Sequence, residues 1–243
     1  MTDVDPHEAV SWPPGWHVEE VAETGSTNTD LLARADSAAD RTVLRTDHQT
    51  AGRGRLDRRW DAPPGTNLLV SLLFRDVPDD PGELTRRVGL AIVDAVQRLA
   101  GRRVVLKWPN DVLLDGAKLA GILAQRAPNG AVVVGTGVNL GWAPPGAAKL
   151  GEHVTPGTAL AALLAAFDEL PVDPVTLMER YRDTLDTIGR AVRVERPDDD
   201  LIGRAVAVAD DGRLVVLDAC AITHRIDVGD VIHLRTDGGA ATP

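Results

Sequence analysis

Residues 107–121, KWPNDVLLDGAKLAG, constrain the fold of this chain more than any other stretch. Val104 to Trp108 is rich in strand formers, and Pro109 pushes Trp108 out of helical space and marks a bend. Val112 to Leu114 is apolar, Asp115-Gly116 is a hairpin signal, and the apolar pattern resumes over Leu119 to Leu123. Two short strands around a turn hold Asn110, Asp111 and Lys118 at strand ends, a rigid setting for chemistry. A plain hairpin with solvated polar residues fits the same pattern. The chain carries 26 Lys+Arg, yet only three are lysines, at 107, 118 and 149. Two of those three fall in this stretch, which points to a need for a compact point charge in place of a planar guanidinium fork.

Asn67 to Phe74, NLLVSLLF, and Val132 to Leu140, VVVGTGVNL, read as buried strands, with further strands at Val18 to Val21 and Thr42 to Thr46. Gly135 and Gly137 inside a strand suggest close approach of a ligand or of another backbone. Asn139, amid apolar residues, needs partners, which either the core or a ligand can supply. Thr24 to Asn28, TGSTN, is a helix start, with Leu31, Leu32 and Ala35 as its buried face; its Ser-Thr pair serves either as N-cap or as ligand contact. Leu84 to Leu99 is an amphipathic helix with apolar residues at 88, 92, 96 and 99. Pro156 opens a helix reaching Phe167, and Pro174 opens another running to about Ile188. Met1 to Trp16 reads as an irregular arm pinned by Trp12 and Trp16. Beyond Ala191 the pattern changes to short strands: Val192 to Glu195, Leu201 to Val208, Arg213 to Leu217, Ala221 to Ile226 and Val231 to Leu234. These predict a small β-barrel behind the acidic linker Arg196 to Asp200.

Between the second and third strands lies His48 to Trp60, HQTAGRGRLDRRW, with Arg53, Arg55, Arg58 and Arg59 crowded around Gly52 and Gly54. It matches neither GxGxxG nor the Walker A loop. Like charges so close repel unless an anion gathers them. Glycine N–H groups and guanidinium forks together bind phosphate or carboxylate; a mobile basic loop is the alternative. The net charge of −10 argues against a general nucleic-acid binder. The single cysteine, Cys220, allows no intrachain disulfide and fits a reducing compartment. No run approaches the ~18 apolar residues of a membrane span, and the N-terminus lacks the basic and apolar regions of a signal peptide. A cytoplasmic protein is expected.

Gly25-Ser26-Thr27-Asn28, Gln49 to Trp60 with its GRGR core, KWPND and KLAGIL in residues 107–123, and Gly135 to Leu140 together resemble the biotin protein ligases, in the same order and over about residues 18–235. The resemblance implies an α/β (α+β) fold: a mixed sheet layered with helices, like the class II synthetases and lipoate ligases, followed by an SH3-like small barrel. It implies an arm (1–17), a catalytic domain (18–190), the barrel (191–237) and a tail (238–243). It also implies the short form of the family, without the N-terminal DNA-binding domain of some members.

The implied reaction forms biotinyl-5′-AMP from biotin and MgATP, then transfers biotin to a lysine of the biotin carboxyl carrier domain of an acyl-CoA carboxylase. By similarity Arg55 and Lys118 reach the carboxylate and α-phosphate, and Asp111 receives the incoming ammonium. Ser26, Thr27, Asn28, Gln49, Gly52, Arg53, Gly54, Arg55, Lys118 and Gly121 line the biotin site. Arg55, Arg58, Trp60, Asn110, Lys118 and Asn139 serve ATP, with Mg²⁺ as the ion and no dedicated protein metal site. Gly135 and Gly137 leave room for the ligand. No nucleic acid or membrane partner is expected, and the chain is expected as a monomer or weak homodimer. Where the family pattern runs GRGRxGRxW, Asp57 stands in place of the later glycine, which puts a negative charge among the arginines. A lipoate or octanoate ligase and a non-catalytic biotin sensor are the competing readings.

Overall fold

The computed structural model describes residues 10–56, 58–195, 199–227 and 229–234. Asp57, the first nine residues of the arm, the linker residues Arg196 to Asp198 and the tail lie outside them. The chain forms two compact units, residues 1–104 with 110–171, and residues 105–109 with 172–243.

The larger unit is built on a mixed sheet. Its strands are β1 (His17–Thr24), β2 (Thr42–Gln49), β3 (Leu68–Phe74), β5 (Asp111–Leu114), β6 (Ala117–Arg126) and β7 (Val132–Val138), in the order β1-β2-β3-β7-β6-β5; β4 (Val104–Lys107) belongs from residue 105 onward to the smaller unit. β1 and β2 are parallel, joined through helix α1 (Thr27–Ala33); β2-β3, β3-β7, β7-β6 and β6-β5 are antiparallel. β3 and β7 are buried at every position, as central strands covered on both faces must be. α2 (Gly82–Ala100) packs with α3 (Pro156–Asp168), and α2 buries Leu84, Val88, Ile92 and Val96. Elsewhere Leu31, Ala35, Leu44, Leu73, Ala127, Ala131 and Val133 form one cluster. Truncating the fully buried Leu73 to alanine there would cost about 2–5 kcal/mol. Trp16 anchors the arm, edge-on to Phe74 and Phe167 and donating its indole N–H to Asp168 Oδ2 at 3.0 Å.

Two expected elements are shorter than the periodicity implies. α1 stops at Ala33, and Ala35 reaches the core from the turn that follows, while Leu32 is only partly buried. α4 (Pro174–Thr184) ends four residues before Ile188. Leu185 turns extended (φ −77°, ψ 119°) and bridges Leu106, and Asp186 N–H donates to Leu106 O at 2.8 Å. Pairing with a distant segment overrides local helix propensity at this point.

The smaller unit is a five-stranded antiparallel sheet, β11 (Thr223–Ile226), β10 (Leu214–Asp218), β9 (Leu201–Val208), β8 (Ala191–Glu195) and β12 (Asp230–His233), hydrogen-bonded in that order. Val192, Val194, Leu201, Ala205, Leu214, Val216 and Val231 alternate into its core. Trp108 belongs to this unit. It is buried, its N–H donates to Thr187 Oγ1 at 2.9 Å, and its indole N–H donates to Gly212 O at 2.9 Å. Among the described residues no helix is long and apolar enough to cross a membrane.

Candidate active site

The site collects on the sheet around β5, β6 and β7. Asp111 opens β5 opposite Gly121 of β6, and Lys118 stands opposite Leu113. Residues 118 and 121 of a regular strand would point to opposite faces. A bulge between Val112 and Leu113 gives β6 one extra residue and reverses that parity. Leu119 and Ala120 therefore both bury into the core, and Lys118 turns to the face of Asp111 and Gly121. Lys118 Nζ lies 2.6 Å from Asp111 Oδ1, with side-chain exposures of 39% and 17%. Lys118 is the open member of the pair; Asp111 Oδ1 is buried, and the ammonium is the group against it.

Trp60 lies over the same face. A Cβ on Gly137 would stand 2.3 Å from the indole, and one on Gly121 3.1 Å from it and 3.1 Å from Lys118 Nζ. Gly121 and Gly137 are cross-strand neighbours, so the two glycines make a single shallow seat. Lys118 Nζ is 5.6 Å from the centre of the ring, a cation–π distance. The indole N–H is buried without a hydrogen-bond partner among the described residues.

The arginine loop is a miniature hairpin. Arg53 bridges Arg59, Trp60 N–H donates to Gly52 O at 3.0 Å, and Gly54 N–H donates to Arg58 O at 2.6 Å. Leu56, two-thirds exposed with φ +53°, sits near the tip. Arg55 reaches away from the loop and donates from Nη1 to Asn110 Oδ1 at 2.9 Å, while Asn110 Nδ2 donates to Ile122 O at 2.8 Å. The bend after KWP and the basic loop are thus joined directly. Arg58 is exposed.

A buried polar chain forms the other wall. Ser26 is buried at the start of α1, but its hydroxyl does not cap the helix. Thr27 N–H donates to Gln49 Oε1 at 2.9 Å, and Thr27 Oγ1 lies 3.1 Å from that oxygen and 2.7 Å from Ser71 Oγ. Ser71 Oγ lies 2.6 Å from Asn28 Oδ1; Asn28 Nδ2 donates to Leu123 O (3.2 Å) and Gln125 Oε1 (2.8 Å). A Cβ on Gly135 would fall 2.2 Å from Asn28 Oδ1, so the Asn28 amide is a neighbour that needs this glycine, where the sequence pointed to a ligand or another backbone.

Asn139 is 2% exposed, and its Nδ2 donates to Ala148 O at 3.0 Å and to Lys118 O at 3.4 Å. Its partners are internal, and through Lys118 O it braces the strand that carries the lysine. Sequence reasoning missed Ser71, Gln125 and Asn67, which caps Leu140 and Trp142 N–H groups at 2.9 and 3.2 Å. The available signal was Ser71 as the lone interior polar residue of NLLVSLLF.

Residues 21–141 match the biotin/lipoate A/B protein ligase family, and residues 187–234 match the biotin protein ligase C terminal domain. The chain is 42% identical to the biotin–[acetyl-CoA-carboxylase] ligase of Mycobacterium tuberculosis, covering 91% of each. It is 35% identical to the enzyme of the same name from Paracoccus denitrificans, over 70% of this chain and 75% of that one. Among solved structures, the biotin protein ligase of Aquifex aeolicus in complex with biotin and ATP aligns with a TM-score of 0.76 and 23% identity, over 90% of this chain and 99% of that one. This last likeness speaks for the fold.

Proposed function

Because the chain belongs to the biotin protein ligase family, we propose that its Lys118–Asp111 pair carries the two halves of one reaction. The chain is a ligase that joins biotin, through ATP, to a biotin carrier of an acyl-CoA carboxylase. The observation that carries the division of roles is the 2.6 Å ion pair set beside Gly121 by the β6 bulge.

In the first step the biotin carboxylate attacks the α-phosphorus of ATP. Two negative groups must meet, so catalysis rests on neutralisation and positioning. Lys118 and Arg55 supply the positive charge, and Asn110 holds Arg55 at its site. Mg²⁺ enters with ATP as the MgATP substrate, held mainly by phosphate oxygens. Ser26, Thr27, Asn28 and Gln49 form the wall for the ureido ring, and Gly52 to Arg55 the loop over it. Arg58 serves the phosphates, Trp60 the adenine, and Asn139 the strand beneath. Biotinyl-5′-AMP and pyrophosphate result.

In the second step the free amine of the carrier lysine attacks the carbonyl carbon of the mixed anhydride; the amide bond forms, the acyl C–O bond to phosphate breaks, and AMP leaves. A free lysine has a pKa of about 10.4 and arrives as an ammonium. Asp111 already holds one ammonium, that of Lys118; the incoming one takes its place at the same oxygen, gives a proton to the carboxylate and attacks as the free amine. We assign this work to residues 18–190 and the SH3-like barrel to residues 191–237. We read the chain as cytoplasmic, monomeric or weakly dimeric, and without a DNA or membrane partner, a reading supported by its net charge of −10 and single cysteine. The test is mass spectrometry of an acyl-CoA carboxylase carrier domain after incubation with biotin, MgATP and the full chain. One biotinylated lysine, with pyrophosphate released, is expected; neither product would overturn the reading.

A further inference from the structure

Ser71 sits at the centre of a proton count that does not close. At one end, the backbone N–H of Thr27 can only donate, so it fixes the Gln49 oxygen toward Thr27. At the other, the carbonyl of Leu123 can only accept, so it fixes the Asn28 nitrogen toward β6 and turns the Asn28 oxygen to Ser71. Two acceptor oxygens therefore flank two hydroxyls. Three oxygen–oxygen contacts, of 3.1, 2.7 and 2.6 Å, share the two hydroxyl protons of Thr27 and Ser71. One contact must go without.

The distances select which. O–H···O bonds centre near 2.7–2.8 Å, which the two short contacts match. The 3.1 Å contact is the longest, and Gln49 Oε1 already takes the Thr27 N–H. The protons thus run one way, from Thr27 to Ser71 and from Ser71 to Asn28. Ser71 is fully buried, and Gly135 lies directly opposite it across β3 and β7, which gives the Asn28 amide room to meet it. What remains is a corner where Thr27 Oγ1 and Gln49 Oε1 lie side by side, both offering lone pairs and neither holding a proton for the other. Its complement is an N–H donor.

We propose that Ser71 is a positioning residue that sets this polarity: by accepting the Thr27 proton it makes Thr27 an acceptor only, and so selects a ligand with a ring N–H at this corner over one with an oxygen or sulfur there. The proposal rests on the reading of Thr27 and Gln49 as contacts of the biotin ureido ring. A cyclic urea satisfies the corner; a dithiolane ring has no N–H to offer it.

The experiment titrates biotin and its two cyclic carbamate counterparts, in each of which one ring N–H is replaced by oxygen, into the full chain by calorimetry. Wild type is expected to bind one carbamate about tenfold or more weaker than biotin, the scale of a buried acceptor left facing an acceptor. In Ser71→Ala the Thr27 proton is free to turn to the ligand, and the biotin-to-carbamate ratio is expected to fall at least about threefold. Ser71→Cys keeps most of the volume with a weak acceptor and is expected to shift the ratio the same way. An unchanged ratio in either folded variant, or a wild type that does not discriminate, overturns the proposal. Loss of biotin and carbamate affinity by the same factor would mean Ser71 only packs. Wild type that binds neither biotin nor the carbamates would instead overturn the functional reading.

Discussion

Trp60 and Gly137 claim one space: a Cβ on Gly137 would stand 2.3 Å from the indole nitrogen. The seat over β6 and β7 that the sequence marked with glycines is filled by the protein's own indole. That indole buries an N–H without a partner among the described residues, which costs about 1–3 kcal/mol and offsets part of its packing gain. The ring is held by contact with Gly121, Gly137 and the Lys118 ammonium, not by a hydrogen bond.

Gly137→Ala should leave the sheet intact and displace the ring. Overpacking of this kind costs about 1–3 kcal/mol, which a circular-dichroism melt would read. Pyrophosphate exchange dependent on biotin should fall about tenfold or more. Unchanged exchange would show that the ring's seat has no part in adenylate formation.

Lys118→Ala should impair adenylate formation by about 10²–10³-fold, the scale of losing one preorganised charge-stabilising donor. Lys118→Arg should restore little, because the larger fork spreads its charge over three nitrogens. Asp111→Asn should slow transfer from preformed biotinyl-5′-AMP more than it slows adenylate formation. The two groups touch, so their effects should not add. Single-step assays of both variants and the double variant decide this; equal loss of both steps in each would make the pair one structural unit.

Asn110→Ala should loosen the basic loop, because Arg55 loses its 2.9 Å acceptor. Limited trypsin digestion followed by mass spectrometry should show faster cleavage after Arg53, Arg55, Arg58 or Arg59 than in wild type. An equal cleavage rate would mean that the bond does not hold the loop.

Burial pushes the His233 imidazole down from 6.5 to about 4; the Lys107 and Arg190 charges add to this and Asp186 opposes it. His233 Nε2 lies 3.2 Å from Thr187 Oγ1, the same hydroxyl that accepts the Trp108 N–H. Above pH 6.5 the ring is neutral folded and unfolded, and the group has no pH-linked effect. Between 6.5 and 4 the unfolded chain binds the proton more readily, so stability falls with pH, by about 2 kcal/mol for a partly screened group. His233→Gln should flatten that loss. Urea unfolding of both proteins at pH 7, 5.5 and 4.5 checks it; parallel curves would rule the histidine out as a source.

Removing residues 172–243 should damage the first unit's chemistry as well as shorten the chain. Residues 105–109 form one compact unit with that segment, and Trp108 is buried there. Peptide continuity passes any disorder to Asn110 and Asp111. A truncated chain with full transfer activity would show the segment to be dispensable.

The elements were legible in the sequence because they follow from local rules. Continuous apolar runs marked β3 and β7, Asp115-Gly116 marked the hairpin, and GRGR with KWPND placed the charged groups in the right order along the chain. The face each group occupies was not legible. A period-2 pattern puts Lys118 and Gly121 on opposite sides of a strand, and only a bulge, one residue of extra length accommodated against β5, reverses them. Ser71 read as an interruption in a buried strand; it became part of the site when Asn28 and Thr27, more than forty residues earlier, packed onto it. α4 ran on past Thr184 by periodicity, and pairing with Leu106 stopped it. Hydrophobic pattern and turn chemistry act between near neighbours and can be read from order alone. Side-chain direction and proton polarity depend on which distant groups compete for the same space and the same proton, and only the tertiary structure decides those.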